Sequence, residues 1–128
     1  FPDTYAHLLK LKGIGKYTAA AIASICFDQP IPVVDGNVYR VLSRVFGIFD
    51  DIAKTSSFQI FFDQASELIS DTSPGDFNQA MMEFGAMVCT PKSPKCEHCI
   101  FSNECHAFNK NLIADLPFKS KNIKIKKI

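Results

Sequence analysis

The chain has 128 residues, 47% hydrophobic and 21% charged, with 12 Phe, no Trp and five Cys, a composition that excludes a disordered segment and describes one ordinary globular unit. No apolar run approaches the roughly 18 residues of a membrane span, and Phe1-Pro2-Asp3-Thr4 shows neither an initiator Met nor a signal or transit pattern, so it reads as the start of a piece excised from a longer protein. The formal net charge of +1 conceals a division: residues 119–128 hold five Lys and no acid, and removing those five leaves −4 for the body, which is not the basic surface usual in a nucleic-acid binder.

Helix punctuation is clear along the chain and strand alternation is nearly absent. Asp3 or Thr4 caps a short helix running to about Leu11, broken by two glycines in Lys12-Gly13-Ile14-Gly15-Lys16. A second helix, Thr18 to about Phe27, places Ala19, Ile22, Ala23 and Cys26 on one face, and Cys26 is expected to be a small buried residue. Pro30 and Pro32 enforce an extended segment. Asp35-Gly36-Asn37 then opens a third helix, carrying Val38, Val41, Leu42 and Val45 and ending near Gly47. Thr55-Ser56-Ser57 caps a fourth, with Phe58, Phe61, Phe62, Ala65, Leu68 and Ile69, closed by Ser73-Pro74-Gly75. A fifth follows Asp76, and its stripe of Phe77, Ala80, Met81, Phe84, Met87 and Val88 is expected to be core. From Cys89 onward Pro91, Pro94 and four cysteines crowd together, a short helix is expected over Asn103–Lys110, and Leu116-Pro117 leads into the lysine tail. That tail is either a solvated linker or edge strand, or a phosphate-contacting arm.

The turn around Gly13 and Gly15 has two readings. Both glycines can adopt positive φ and expose backbone N–H groups at the positive end of the next helix, which suits a phosphate; a plain helix–helix turn plugged by Ile14 is the other. Leu11-Lys12-Gly13-Ile14-Gly15-Lys16-Tyr17-Thr18-Ala19 resembles the helix-hairpin-helix motif of the DNA glycosylases related to endonuclease III, with Lys12 where a proline is usual. Val33-Val34-Asp35-Gly36-Asn37-Val38-Tyr39-Arg40-Val41 and Phe77-Asn78-Gln79-Ala80-Met81-Met82-Glu83-Phe84-Gly85-Ala86 resemble the adenine-removing MutY branch, and the similarity runs over about residues 1–118. The resemblance implies that Gly13, Ile14, Gly15, Lys16 and Thr18 grip the backbone of double-stranded DNA.

Asp35 lies 20 residues beyond Gly15 at the start of a helix. By position alone it is an N-cap; a carboxylate there is also able to stabilise positive charge on a sugar as its base departs. The resemblance assigns it that second role, with Asn37 orienting it. Relatives that also cut the backbone carry a Schiff-base lysine two residues after the second hairpin glycine. Here that slot holds Tyr17, and Lys16 is turned about 100° away, so the implied enzyme is monofunctional, with water attacking the sugar. The family's general-acid glutamate precedes the hairpin, and Glu67, Glu83, Glu97 and Glu104 all follow it. The chain alone is therefore expected to be catalytically incomplete. A target adenine must also be flipped out of the duplex.

Cys89, Cys96, Cys99 and Cys105 are spaced C-x6-C-x2-C-x5-C. Four soft thiolates suit an iron–sulfur cluster or tetrahedral zinc, with disulfides a third alternative. The uneven spacing resembles the 4Fe-4S loop of endonuclease III and MutY at all four positions, which implies that cofactor. His98 and His106 are expected to face solvent. Lys92 and Lys95 lie between the first two cysteines, and the resemblance implies that they meet the DNA backbone. Clustered cysteines point to a reducing compartment, the cytoplasm and nucleoid or the nucleus and mitochondrion.

The sequence therefore predicts an all-α, partial helix-hairpin-helix glycosylase fold with a C-terminal iron–sulfur loop. Residues 1–48 would carry the hairpin and aspartate, 49–110 the helical cluster subdomain, and 111–128 a linker toward a further domain. The expected activity is hydrolysis of adenine mispaired with 8-oxoguanine or guanine, with no membrane partner. The rivals are an endonuclease III-like glycosylase/lyase and a non-catalytic hairpin module with a four-cysteine zinc site.

Overall fold

The computed structural model describes residues 2–120, and no strand occurs among them. Six α-helices succeed one another: α1 Tyr5–Leu8, α2 Lys16–Phe27, α3 Gly36–Phe46, α4 Phe58–Leu68, α5 Pro74–Met87 and α6 His106–Asn109. Single 3₁₀ turns lie at Thr55–Ser57, Cys96–His98 and Ile113–Asp115. None of the described helices is long and apolar enough to cross a membrane.

Local chemistry sets the helix ends. The Thr4 side chain accepts from the His7 N–H, and α1 stops at Leu8, before the glycines. Helix α2 starts at Lys16, two residues earlier than its apolar face suggests, because Gly15 is extended and leaves the first turn to begin at once. It ends on Asp28, in the left-handed region at φ 55°. Gly47 ends α3 at φ 69°, where a Cβ is strained. Pro74 opens α5 with the fixed φ that suits a first helical position. Helix α6 begins at His106, not Asn103, because residues 99–105 are taken up by turns around two of the cysteines.

Helix α3 is the centre, packed against α4, α5 and α6, while α2 packs against α1 and α5. Val34, Val38, Leu42, Phe61 and Ala65 form the main core; Leu8, Ala19 and Ala23 form a second, closed by Ile14. Cys105, Ala107 and Leu116 form a third. The segment after residue 111 thus starts as packed chain: Leu116 is buried, the Ile52 N–H donates to the Phe118 carbonyl (2.9 Å), and the Ser120 N–H donates to Asp51 (3.1 Å). Most of the lysine tail lies outside the described residues.

Two expected core faces are corrected. Cys26 is exposed, because α2 buries Ala19, Ala20, Ala23 and Ser24 instead. In α5 the buried positions are Pro74, Asn78 and Gly85; Ala80 is exposed and Met87 is 64% exposed. Small and hydrogen-bonded residues let α5 approach α2 and α3 closely: a Cβ on Gly85 would fall 2.8 Å from Asn37 Cβ, and one on Gly75 3.0 Å from Ile25 Cα. The rest of the apolar stripe is half-buried: Met81 packs against the main core, Phe84 and Val88 line the cysteine cavity, and Phe77 and Met81 also border a groove with Phe46, Leu68 and Phe101.

Candidate active site and cluster loop

The hairpin leaves the first backbone donors of α2 uncapped. Gly13 has φ 87°, but Gly15 is extended at φ −94°, so only the first glycine uses the left-handed region. The Ile14 N–H is satisfied by the Leu11 carbonyl at 3.2 Å, and the Ile14 side chain packs against the Leu8 cluster. The first N–H groups of α2 have no intrahelical acceptor, Gly15 offers no capping side chain, and no acid lies in the first turn. Nothing lies within 4 Å of a Cβ built on Gly13 or Gly15, so the surface above the turn is open to an anion. Lys16 and Thr18 are exposed beside it.

Asp35 takes the capping role expected of its position. It is the N-cap of α3: Oδ1 accepts from the Val38 N–H at 2.9 Å, and Oδ2 faces the Asn37 amide at 3.4 Å. Asn37 Oδ1 in turn accepts from Arg40 Nη2 at 2.9 Å. Arg40 continues inward, donating to the Gly85 carbonyl at 2.6 Å and, through Nε, to the Cys89 carbonyl at 2.7 Å. Burial lowers the Arg40 pKa, opposed by the negative potential of Cys89. A continuous hydrogen-bonded path therefore joins the carboxylate to the first cysteine.

The approach to Asp35 is held from α5. Asn78, 1% exposed, accepts from the Val33 N–H (3.0 Å) through Oδ1 and donates through Nδ2 to Ser24 Oγ (2.9 Å) and the Ile31 carbonyl (3.0 Å). This fixes the extended Pro-Ile-Pro segment, which has no regular ladder of its own. Tyr17 is 49% exposed, and its hydroxyl donates to Met82 Sδ at 3.8 Å.

Cys89, Cys96, Cys99 and Cys105 line one cavity whose other walls include Val45, Phe84 and Ile113. Burial pushes the Cys89 thiol up, against the opposing pull of Arg44. Burial also raises Cys96, followed by the charges of Cys89, Cys105 and Cys99. Arg44 is 2% exposed. Its guanidinium donates to the Leu116 carbonyl (2.9 Å), the Thr90 carbonyl (2.7 Å), the Pro91 carbonyl (3.0 Å) and Cys89 Sγ (3.5 Å). A buried cation aimed at a thiol suits an anionic group in this cavity. Among the described residues, no three His, Cys, Asp or Glu side chains converge on a single-ion site. Tetrahedral zinc, with Zn–S bonds near 2.3 Å, needs thiolates within about 4 Å of one another; a cluster, with a separate iron for each cysteine, accepts wider spacing. Four cysteines lining one cavity, with the Arg44 guanidinium against Cys89 Sγ, fit an iron–sulfur cluster.

Lys92 and Lys95 are exposed on this loop, which is ordered by the Lys95 N–H donating to the Val88 carbonyl and Thr90 Oγ1 donating to the Lys92 carbonyl. His98 is exposed as expected, but His106 is half-buried, stacked where a Gly47 side chain would stand, 2.6 Å from its Cδ2. Arg40, Arg44 and Asn78 were not singled out by sequence reasoning. The two arginines lie four residues apart on one side of a helix whose other face carries Val38, Val41, Leu42 and Val45, and that pattern was their signal.

Residues 1–25 match the helix-hairpin-helix motif, and residues 89–105 match the iron-sulfur binding domain of endonuclease III. The chain is 47% identical over 109 residues to an adenine DNA glycosylase of Arabidopsis thaliana, covering 85% of this chain and 17% of that protein. It is 56% identical over 99 residues to an adenine DNA glycosylase of Rattus norvegicus, covering 76% and 19%. The chain thus carries the hairpin and iron–sulfur motifs of the endonuclease III-like glycosylases and is similar over most of its length to adenine DNA glycosylases. The structure of a thermostable thymine-DNA glycosylase superposes with a TM-score of 0.77 at 33% identity, over 86% of this chain and 50% of that one. The family fold accounts for the all-helical architecture, and the iron-sulfur domain match identifies the cavity as a cofactor site. The chain spans about a fifth of the length of these two glycosylases.

Proposed function

We propose that this chain is the hairpin, aspartate and cluster portion of a base-excision repair enzyme that hydrolyses the N-glycosidic bond of adenine opposite 8-oxoguanine or guanine in double-stranded DNA. The observation that carries the reading is Asp35, a half-buried carboxylate fixed by Val38 and Asn37 at the mouth of α3. As adenine departs, positive charge develops on the sugar, and a carboxylate already held in place stabilises it without reorganising. Asn37 holds the second oxygen, and Arg40 holds Asn37. Tyr17 occupies the position of the lyase lysine. A phenol forms no Schiff base, so water attacks the sugar and the backbone stays intact.

In this reading Gly13, Ile14, Gly15, Lys16 and Thr18 hold one strand, and Lys92 and Lys95 hold the backbone from the cluster loop. Cys89, Cys96, Cys99 and Cys105 bind a 4Fe-4S cluster, which supplies a rigid anionic centre for that loop. Residues 1–48 carry the hairpin and aspartate, 49–110 the cluster-bearing helices, and 111–128 lead toward a further domain. All four glutamates, Glu67, Glu83, Glu97 and Glu104, are exposed, and none is assigned the protonation of the leaving adenine. The site of action is wherever the genome is kept, the nucleoid or the nucleus.

The test is single-turnover adenine release by the full-length protein from a duplex with one A:8-oxoguanine pair. Asp35→Asn keeps an oxygen to accept from the Val38 N–H but removes the negative charge, and release is expected to fall by roughly 10² or more while duplex binding persists. Release at the unsubstituted rate would remove Asp35 from the chemistry. Stoichiometric zinc without iron would support the hairpin–zinc module instead.

A further inference from the structure

We propose that the notch between the start of α2, the first turns of α3 and the turn before α4 is a second seat for a DNA backbone phosphate, with Lys16 and Lys54 as its cations. Three elements converge there. Lys16 is the first residue of α2; Tyr39 comes from α3, one turn after Asp35, whose carbonyl accepts its N–H at 2.9 Å; Lys54, Thr55 and Phe58 come from the turn that opens α4. Lys54 belongs neither to the hairpin nor to the cluster loop, so the inference adds a third contact to the proposed DNA reading and rests on it.

The chemistry of the notch suits a phosphodiester. Two lysines line it and no acid does. Asp51 accepts from the Ala53 N–H at 2.9 Å and the Ser120 N–H at 3.1 Å, and those bonds hold its carboxylate more than the charge of Lys54 does. Lys16 Nζ stands 4.3 Å over the Phe58 ring, an arrangement that holds an ammonium in place without neutralising it. The Phe58 ring and Ile52 give the notch an apolar wall for a sugar, and Thr55 and Tyr39 add neutral hydroxyls. A free anion would need a closed cradle; this site is open, and it shares Lys16 with the hairpin, so a strand held there runs directly into it. A second observation points the same way. The lysine-rich segment starts against the same turn, through the bonds of Phe118 to Ile52 and Ser120 to Asp51, and Lys119 is exposed.

The test uses the purified 128-residue chain and a short fluorescein-labelled duplex, titrated between roughly 50 and 200 mM salt. Loss of one phosphate contact removes about 0.9 from the slope of log K against log salt, which at about 0.1 M corresponds to a roughly five- to ten-fold weaker complex. Lys54→Ala is expected to show this loss on any duplex sequence, and Lys54→Arg to recover it. Lys110→Ala, an exposed lysine after α6, is expected to leave the slope unchanged. Thermal melts matching the unsubstituted chain show that the exposed Lys54 is not structural. A Lys54→Ala slope equal to that of the unsubstituted chain, or an equal loss in Lys110→Ala, overturns the notch while the hairpin reading stands. Inorganic phosphate that displaces DNA beyond its ionic strength, and does so only when Lys54 is present, supports the notch as a seat for a DNA phosphate; displacement that is the same in Lys54→Ala overturns it. An unsubstituted chain with no salt-dependent duplex binding overturns the DNA reading itself, and the notch with it.

Discussion

Replacing Arg44 by Met keeps a long side chain in the cavity but removes every donor that ties α3 to the cluster loop. Four acceptors lose their partner: the carbonyls of Leu116, Thr90 and Pro91, and Cys89 Sγ. A buried acceptor left unpaired costs about 1–3 kcal/mol. The bonds to Leu116 and Cys89 are fully buried, whereas those to Thr90 and Pro91 are partly open and water replaces them at lower cost. The expected loss is therefore about 2–5 kcal/mol. At about 4 °C per kcal/mol for a chain of this size, Tm drops by roughly 8–20 °C. The assay is thermal unfolding of the purified chain, with iron and acid-labile sulfide measured on the same sample. Cluster content is expected to fall with Tm, because the loop that presents Cys89 loses its anchor. Arg44→Lys should recover only part of both, since one ammonium cannot span carbonyls on two segments as the planar guanidinium does. An Arg44→Met chain with unsubstituted Tm and full iron would falsify the anchoring role.

Cys99→Ser is expected to abolish iron and sulfide binding while leaving the helical circular dichroism of α2 to α5 largely intact; full cluster content would remove Cys99 from the ligand set. Asn78→Ala strands the Val33 N–H and Ile31 carbonyl and should cost about 2–3 kcal/mol in urea unfolding, whereas an unchanged midpoint would show that the segment before Asp35 does not need the clasp. Gly47→Ala adds a Cβ against His106 in a left-handed position, so a destabilisation of about 1–3 kcal/mol is expected. Gly47→Ala combined with His106→Ala relieves the clash but not the φ strain, and the difference between the two melts measures each.

Periodicity located the helices well, because a run such as Val38, Val41, Leu42 and Val45 is apolar on one side only and Gly47 stops it. It did not decide which face of α5 is buried. An apolar stripe and a small, polar face both recur every three to four residues along that helix, and the second was buried because Asn78 and Gly85 meet complementary groups on α2, α3 and the extended segment. The same limit hid Arg40 and Arg44: a charged residue on a helix is ordinarily solvated, and Arg44 is buried and Arg40 half-buried only because carbonyls some 45 to 72 residues away in sequence converge on them.

By itself the sequence determined the helical class, the glycine turn, the aspartate at the head of α3 and the four cysteines, since each depends on residues close together in the chain. Only the tertiary structure decided how these are joined. Hydrogen-bond donors on α3 find their acceptors in a loop that sequence distance does not bring near, so the path from Asp35 to Cys89, the anchoring of that loop by Arg44 and the lysine notch beside α2 exist only once the helices have packed.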